Sequence, residues 1–390
     1  MSTNELYIDG HVFEGGPPSR IQRSLGLVKP DQPRVIRRAL LAAGIAWMPL
    51  AILTIVQSLL FRDGSASWFF GDFAVHARYL VAMPVWILAE ADCIPRLEKI
   101  VRQFVDTGLI ANADLPRYQR AVASTRRLLD STWADVIAVI LAYASVIWIT
   151  SSLTPALIAN WQRDGSSSLA LAGWWHAFVS LPLLLIFFFG WLWRVVLWGR
   201  FLVLVSRLNL QLLPSHPDKV GGLKFVNTSL RGFRLISFGM GAVAAGSVAD
   251  RIVYYGENLM SFRGLMIGLA VTVLILFAGP LTVFVARLRQ ARRRGYFEYG
   301  LLANRMGREF EAKWLSASTE VKQDILEQPD FSATTDFFGI ASNVYEMRDF
   351  PFTLRDLIGP VAPALLPFAG VALFTIPIQI VIDSTIKLLF

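Results

Sequence analysis

Apolar runs of about twenty residues recur along this 390-residue chain, each long enough to cross a hydrocarbon layer about 30 Å thick as one helix. Lipid offers no partner to a backbone N–H or C=O, so such runs must satisfy their own backbone and read as helices. The composition agrees. Hydrophobic residues make up 54% and charged residues 17%, against about 25% charged in soluble domains. The fold expected is all-α, a polytopic membrane protein of about seven transmembrane helices plus a helical cytoplasmic domain.

The runs lie at 39–61, 74–95, 132–154, 174–204, 233–250, 264–286 and 357–386. The fourth exceeds one crossing and should tilt or project into water. The seventh holds Pro360, Pro363, Pro367 and Pro377. Each removes an amide donor and clashes with the preceding turn, which predicts a broken or re-entrant start and one crossing from about 368. The chain thus divides into a mobile cytoplasmic tail (1–33), six spans with a cytoplasmic helical hairpin at 96–131 (34–287), a cytoplasmic helical segment (288–356) and a proline-broken membrane segment (357–390).

Orientation follows from the basic residues. Lys and Arg number six in 1–38, seven in 96–131, five in 205–234 and eleven in 287–356, whereas 62–73, 155–173 and 251–263 hold one, one and two. Cytoplasmic loops carry the excess, so the N-terminus is expected in the cytoplasm. The net charge of +8 is accounted for by this bias and by anionic lipid at the inner surface; no nucleic-acid partner is needed. The first 33 residues are polar and the first apolar run is full length, so no cleavable leader is expected. Cys93 is the one cysteine, which excludes an internal disulfide and any multi-cysteine metal site. No metal and no cofactor are expected.

Outside the spans, Leu97, Ile100, Val101, Phe104 and Val105 share one helix face, and Gly108 breaks that helix before a second one capped by Asp114. Leu302, Met306, Phe310 and Trp314 recur every four residues and must pack on the other insert or on another subunit. Residues 316–350 read as short helices separated by Pro329 and Gly339.

Charges inside a membrane are costly and mark candidate sites. Glu90, Asp92 and Asp135 fall near the cytoplasmic ends of their spans, and Arg194 and Arg200 lie at similar depth as their nearest partners. These five are candidates for an ion path or gate; the competing reading is structural ion pairs and snorkelling arginines. The middle of the bilayer is left with almost no ionisable group, which disfavours a proton-coupled carrier but not a pore with charged mouths. His76 and His176, near the outer face, are the two histidines a haem iron would need; interfacial histidines are the simpler account. Ser237, Gly241, Ala245 and Ala249 recur every four residues on the fifth span, the spacing that lets helix backbones approach closely.

The stretch "LLPSHPDKVGGLKF" joins spans four and five. Pro214 and Pro217 fix φ, Asp218 can cap, and Gly221 and Gly222 permit positive φ. His216 with Asp218 has no partnered nucleophile in sequence, so a compact turn is the expected role.

This stretch resembles the "PTHPDxxGGLGFL" loop of a group of uncharacterised bacterial inner-membrane proteins. "HARYLVAMPVWILAEAD", "FEYGLLANRMGREFEAKWL", "DFSATTDFFGIASNVYEMRDFPF" and the proline-rich C-terminal span fit the same group, with Lys224 standing where it has Gly. The resemblance implies a bacterial inner (cytoplasmic) membrane location and carries no activity. A homo-oligomeric channel or pore for small ions is the leading functional expectation. The alternatives are a non-conducting membrane scaffold or sensor with a cytoplasmic partner-binding domain, and a membrane enzyme acting on lipid. Lipid and a second copy of the chain are the expected partners.

Overall fold

The computed structural model describes residues 12–17, 35–152, 159–163, 168–315 and 329–375, and the regular structure in them is helical. Six helical stretches are long and apolar enough to cross a membrane: Val35–Phe61, Thr132–Ser152, Leu171–Ser206, Lys224–Tyr255, Leu259–Phe277 and Leu354–Leu373. We label the helices α1 (Val35–Phe61), α2 (Ser65–Gly71), α3 (73–106), α4 (Leu115–Leu129), α5 (Thr132–Ser152), α6 (Leu171–Ser206), α7 (Arg234–Tyr255), α8 (Arg263–Phe277), α9 (Val285–Trp314), α10 (Pro329–Tyr345) and α11 (Leu354–Thr375).

The second apolar run, expected to cross at 74–95, lies in α3 but is not among the six. His76 and Arg78 flank it at one end and Glu90 and Asp92 at the other. It packs against α1, α6 and α7. At one end Asp250 of α7 accepts hydrogen bonds from the Phe73 and Ala74 amides. At the other the chain after α3 forms a β-bridge, Ile110 with Leu210. Tyr79, Met83, Trp86, Ile87 and Cys93 are buried, so α3 stands in the core.

Prolines inside the helices leave carbonyls without donors, and side chains from neighbouring helices take them. Pro49 lies inside α1 and deprives the Ile45 carbonyl four residues earlier. Trp175 Nε1 donates to it at 3.4 Å, and Ser180 Oγ donates to the adjacent Ala46 carbonyl at 2.7 Å. Pro182 likewise frees the Phe178 carbonyl, which accepts from Tyr143 Oη at 3.0 Å. In α3 and α6 the proline follows a wide π-helical turn, Ala77–Ala82 before Pro84 and His176–Ser180 before Pro182. The extra residue in the turn gives the ring the room it would otherwise lack.

Three expectations are corrected. The final membrane segment is not broken within the described residues: α11 runs through Pro360, Pro363 and Pro367. Spaced by three and four, these prolines lie on one side of the helix, so the lost donors do not sever it. Residues 376–390, with Pro377, lie outside the described residues. The sixth run, expected as one span over 264–286, is not one helix: α8 ends at Phe277. Gly279–Phe284 forms a 3-10 turn, since Pro280 cannot donate, and its ring packs 3.6 Å from the position of a Cβ on Gly199. Gly339 does not divide 316–350; α10 is continuous across it and starts at Pro329, where a missing N–H costs nothing. Residues 316–328 lie outside the described residues.

The apolar stripe of α9 packs on α10, not on the 96–131 insert. Phe310 and Trp314 lie 5.1 and 4.9 Å from the Phe331 ring, and Tyr296 lies 4.8 Å from Tyr345. Leu302, on the same stripe, stays exposed.

The small-residue stripe of α7 is buried within the chain. It faces α11, whose buried side is Pro360, Ala364, Phe368 and Val371. A Cβ on Gly241 would overlap the Ala364 carbonyl oxygen, and one on Gly246 would lie 2.5 Å from the Ala77 Cβ. The backbones meet where a larger residue has no room. Gly241→Ala should therefore force α7 and α11 apart, lowering stability by about 1–3 kcal/mol. Thermal unfolding of the purified variant measures this, and Gly268→Ala, with open space around it, is the control expected to melt as the wild type.

Candidate functional site

Three charged side chains meet inside the bundle. Glu90 of α3 accepts from two arginines, Arg38 Nη2 of α1 at 2.8 Å on Oε2 and Arg194 Nη2 of α6 at 3.2 Å on Oε1. Side-chain exposure is 4% for Arg38, 10% for Glu90 and 3% for Arg194, so the group is withdrawn from solvent. The Arg194 guanidinium also sits 4.9 Å from the Trp191 ring centroid, and Trp191 Nε1 donates to the Trp86 carbonyl at 2.8 Å. A carboxylate between two guanidiniums uses both oxygens, and charge-assisted hydrogen bonds of this kind are the strong ones.

A backbone carbonyl completes the group from an unexpected direction. Arg194 Nη2 donates to the Gly15 oxygen at 2.7 Å. The tail was expected to be mobile over 1–33, but residues 12–17 are seated in the bundle. Val12 and Phe13 are buried, and the Phe13 ring meets Trp198 at 5.6 Å and Phe201 at 6.3 Å, both edge-on. Gly15 and Gly16 take φ of 104° and 76°, values that only glycine holds without strain.

The five charged candidates do not form one layer. Glu90 and Arg194 meet. Asp92 instead pairs with Arg96 at 2.8 Å and Arg234 at 3.4 Å. Asp135 is buried in the first turn of α5, where a negative charge suits the helix N-terminus. Arg200 does not reach Glu90; its Nη1 donates to Ser124 Oγ at 3.1 Å and lies 3.5 Å from Thr125 Oγ1. Arg38 was counted with the basic tail and missed as a site residue. Its signal was spacing: Arg38, Ala42 and Ala46 lie on one helix face, and the two alanines leave room for the side chain.

At the opposite end, His76 Nδ1 accepts from Trp47 Nε1 at 2.9 Å and its Nε2 lies 3.1 Å from the Phe70 carbonyl oxygen. Both nitrogens are engaged, which removes His76 as a haem ligand. His176 is buried against Tyr79 and Trp161, 6.0 and 5.5 Å between centroids. No group of three metal-ligating side chains occurs among the described residues. A cleft of about 600 Å³ opens nearby, with Asp72, Asp250, Trp68, Trp161 and Tyr254 in its lining. Asp72 accepts from the Val75 amide and Trp161 Nε1, each at 2.8 Å, and Asp250 from the two amides that follow Asp72. These carboxylates serve the first turn of α3.

The 207–227 loop ties the basic end together. Asp218 Oδ1 accepts from the Val220 amide at 2.9 Å and the Gly222 amide at 3.1 Å, and Oδ2 from the Lys224 amide at 3.1 Å. His216 Nδ1 stands 2.8 Å from Oδ1. Lys219, Gly221 and Gly222 hold φ of 60°, 65° and 94°. On one side the Gln211 amide donates to the Leu109 carbonyl at 2.9 Å and the Asn209 amide to Asp114 Oδ2 at 3.0 Å. On the other, Arg294 Nη2 donates to the Leu212 carbonyl at 3.2 Å, Tyr299 Oη to Ser215 Oγ at 3.1 Å and the Arg348 amide to the Lys219 carbonyl at 2.8 Å. Lys219 also pairs with Glu346. The Ser215 hydroxyl is engaged by Tyr299, and the imidazole faces Asp218, so no nucleophile–base contact forms.

Comparison with protein-family models, curated proteins and solved structures finds no match to this chain.

Burial pushes the Asp218 carboxyl upward, but the three amides and His216 outweigh it and hold it below the usual carboxylate range. A group depressed on folding stabilises the protein above its unfolded value, and that contribution disappears as pH falls through the folded value. Asp218→Asn should cost about 1.5–3 kcal/mol at neutral pH and flatten the stability–pH curve below about pH 4. Denaturant titrations at several pH values read both. In the same assay Gly222→Val should cost more than His216→Ala, because its φ excludes a β-branched residue.

Proposed function

We propose that this chain is a multi-pass protein of the bacterial inner membrane, crossing seven times with its N-terminus and basic end in the cytoplasm, and that it is a non-conducting scaffold or sensor. The observation that carries this is the Glu90 joint. Of the charges that would line the inner mouth of a pore, Glu90 and Arg194 are turned on each other and on Arg38, with 10% of the Glu90 side chain exposed, and the Gly15 carbonyl takes up Arg194. A gate needs groups that meet water and ions; a joint between three spans needs groups that meet each other. The basic bias of the loops supports the orientation.

The partner surface fits the α9–α10 hairpin. It extends from the end that holds the basic loops, and Tyr296, Phe297, Leu301 and Phe338 remain exposed on it. Exposed apolar side chains on a water-facing hairpin mark an interaction site, in the first place for a second copy of the chain. An ion pore between copies is the second reading, favoured by the acidic and aromatic cleft at Asp72 and Asp250, which would concentrate cations at the outer mouth. The His216 loop lends no support to lipid chemistry, since Ser215 and His216 do not meet.

Purified wild type should give no current in planar bilayers, and Glu90→Gln should stay silent while losing about 3–5 kcal/mol of stability, because Arg38 and Arg194 both lose the carboxylate that neutralises them. Wild-type currents that Glu90→Gln alters in selectivity would replace the scaffold with the pore. For orientation, an impermeant thiol reagent outside intact cells should label Ser261→Cys and spare Ser332→Cys until the membrane is opened. The reverse pattern would invert the topology.

A further inference from the structure

We infer that residues 12–17 are a detachable linear segment, and that the groove they occupy between Gly190, Arg194, Trp198 and Phe201 is a peptide-docking site whose resident ligand is this chain's own N-terminal region. The segment is irregular and is separated from α1 by seventeen residues of chain. That length spans up to about 55–60 Å when extended, so departure from the groove does not require α1 to move.

Recognition is specific and uses few groups. The Phe13 ring enters edge-on against Trp198 and Phe201. The Gly15 carbonyl accepts from Arg194 at 2.7 Å. The Pro17 carbonyl rests on the bare Cα of Gly190, where a Cβ would overlap it, and Gly16 lies where a Cβ would be 2.7 Å from Leu129 Cδ1. Glu14, between these anchors, is exposed. An aromatic residue, one exposed position and then Gly-Gly-Pro therefore describes the ligand.

Binding is close to balanced. Ordering six backbone residues has a cost of the same order as the gain from burying three apolar side chains, Val12, Phe13 and Pro17. The tether supplies the segment at an effective concentration of about millimolar, which favours the docked state without making it permanent. On release Arg194 loses the Gly15 carbonyl, and the Arg38–Glu90–Arg194 joint opens toward the basic end. Docking is thus a device by which an event at the N-terminal tail reaches three spans at once. The inference is independent of whether the protein conducts.

The test uses the full chain with Cys93→Ala and a single reporter, Val12→Cys. Its maleimide labelling should be about tenfold slower than that of Glu14→Cys, as expected for a site protected by local closure. Free peptide HVFEGGPP at about millimolar concentration, matching the tethered segment, should accelerate Val12→Cys labelling several-fold by taking the groove. Gly190→Ala, and separately Phe13→Ala, should raise the rate to that of Glu14→Cys without peptide. Phe13→Ala alters no helical residue and decides the matter if Gly190→Ala fails to fold. Val12→Cys labelling as fast as Glu14→Cys in the otherwise unaltered chain would mean that the segment does not dock. Slow labelling indifferent to peptide and to Phe13→Ala would make it permanent core. Either result overturns the inference.

Discussion

Glu90 is a carboxylate in an apolar bundle, and the arrangement around it follows from that. An ionised group removed from water must be paired and hydrogen-bonded or it neutralises. Glu90 is paired twice, by arginines from α1 and α6, so one residue of α3 ties three long helices at one level. The arginines must in turn be satisfied, which accounts for the Gly15 carbonyl and the Trp191 ring beside Arg194. Buried ion pairs are weak evidence for stability, since their desolvation is costly. Their value here is positional: the contact is made in one register of α1, α3 and α6.

The same logic of satisfaction operates where the sequence breaks its own helices. Pro49 and Pro182 each strand a carbonyl inside the bundle, and Trp175, Ser180 and Tyr143 donate to the carbonyls left open near them. A defect in one helix becomes a polar contact with the next. At the basic end, the 207–227 loop holds its own backbone on the Asp218 carboxylate and offers its outer carbonyls and hydroxyls to the inserts on either side. The loop is mortar between two helical hairpins, and this makes its backbone geometry matter more than the His216 imidazole.

What a pore reading and a scaffold reading share is a set of charges near the basic end; where they part is whom those charges face. Periodicity placed Glu90 and Arg194 at similar depth, and pairing them was a fair inference. Arg200 at similar depth was an equally fair partner and went instead to Ser124, because depth alone does not say which way a side chain points around its helix. Arg38 was hidden for a different reason. It sits where a topogenic arginine also sits, and composition cannot separate an arginine facing lipid headgroups from one turned into the bundle.

The sequence by itself determined the helical class, most of the span positions and the need for close packing along Ser237, Gly241, Ala245 and Ala249, because length, apolarity and small-residue spacing are local properties that lipid and helix geometry translate directly. Tertiary structure alone decided that Val12–Pro17 lies inside the bundle, that α11 holds together across three prolines, and that α9 packs on α10. In each case the deciding contact joins residues far apart in the chain. The free energy of a six-residue segment, a proline-bearing helix or an apolar stripe depends on the neighbour that receives it, and no window along the sequence contains that neighbour.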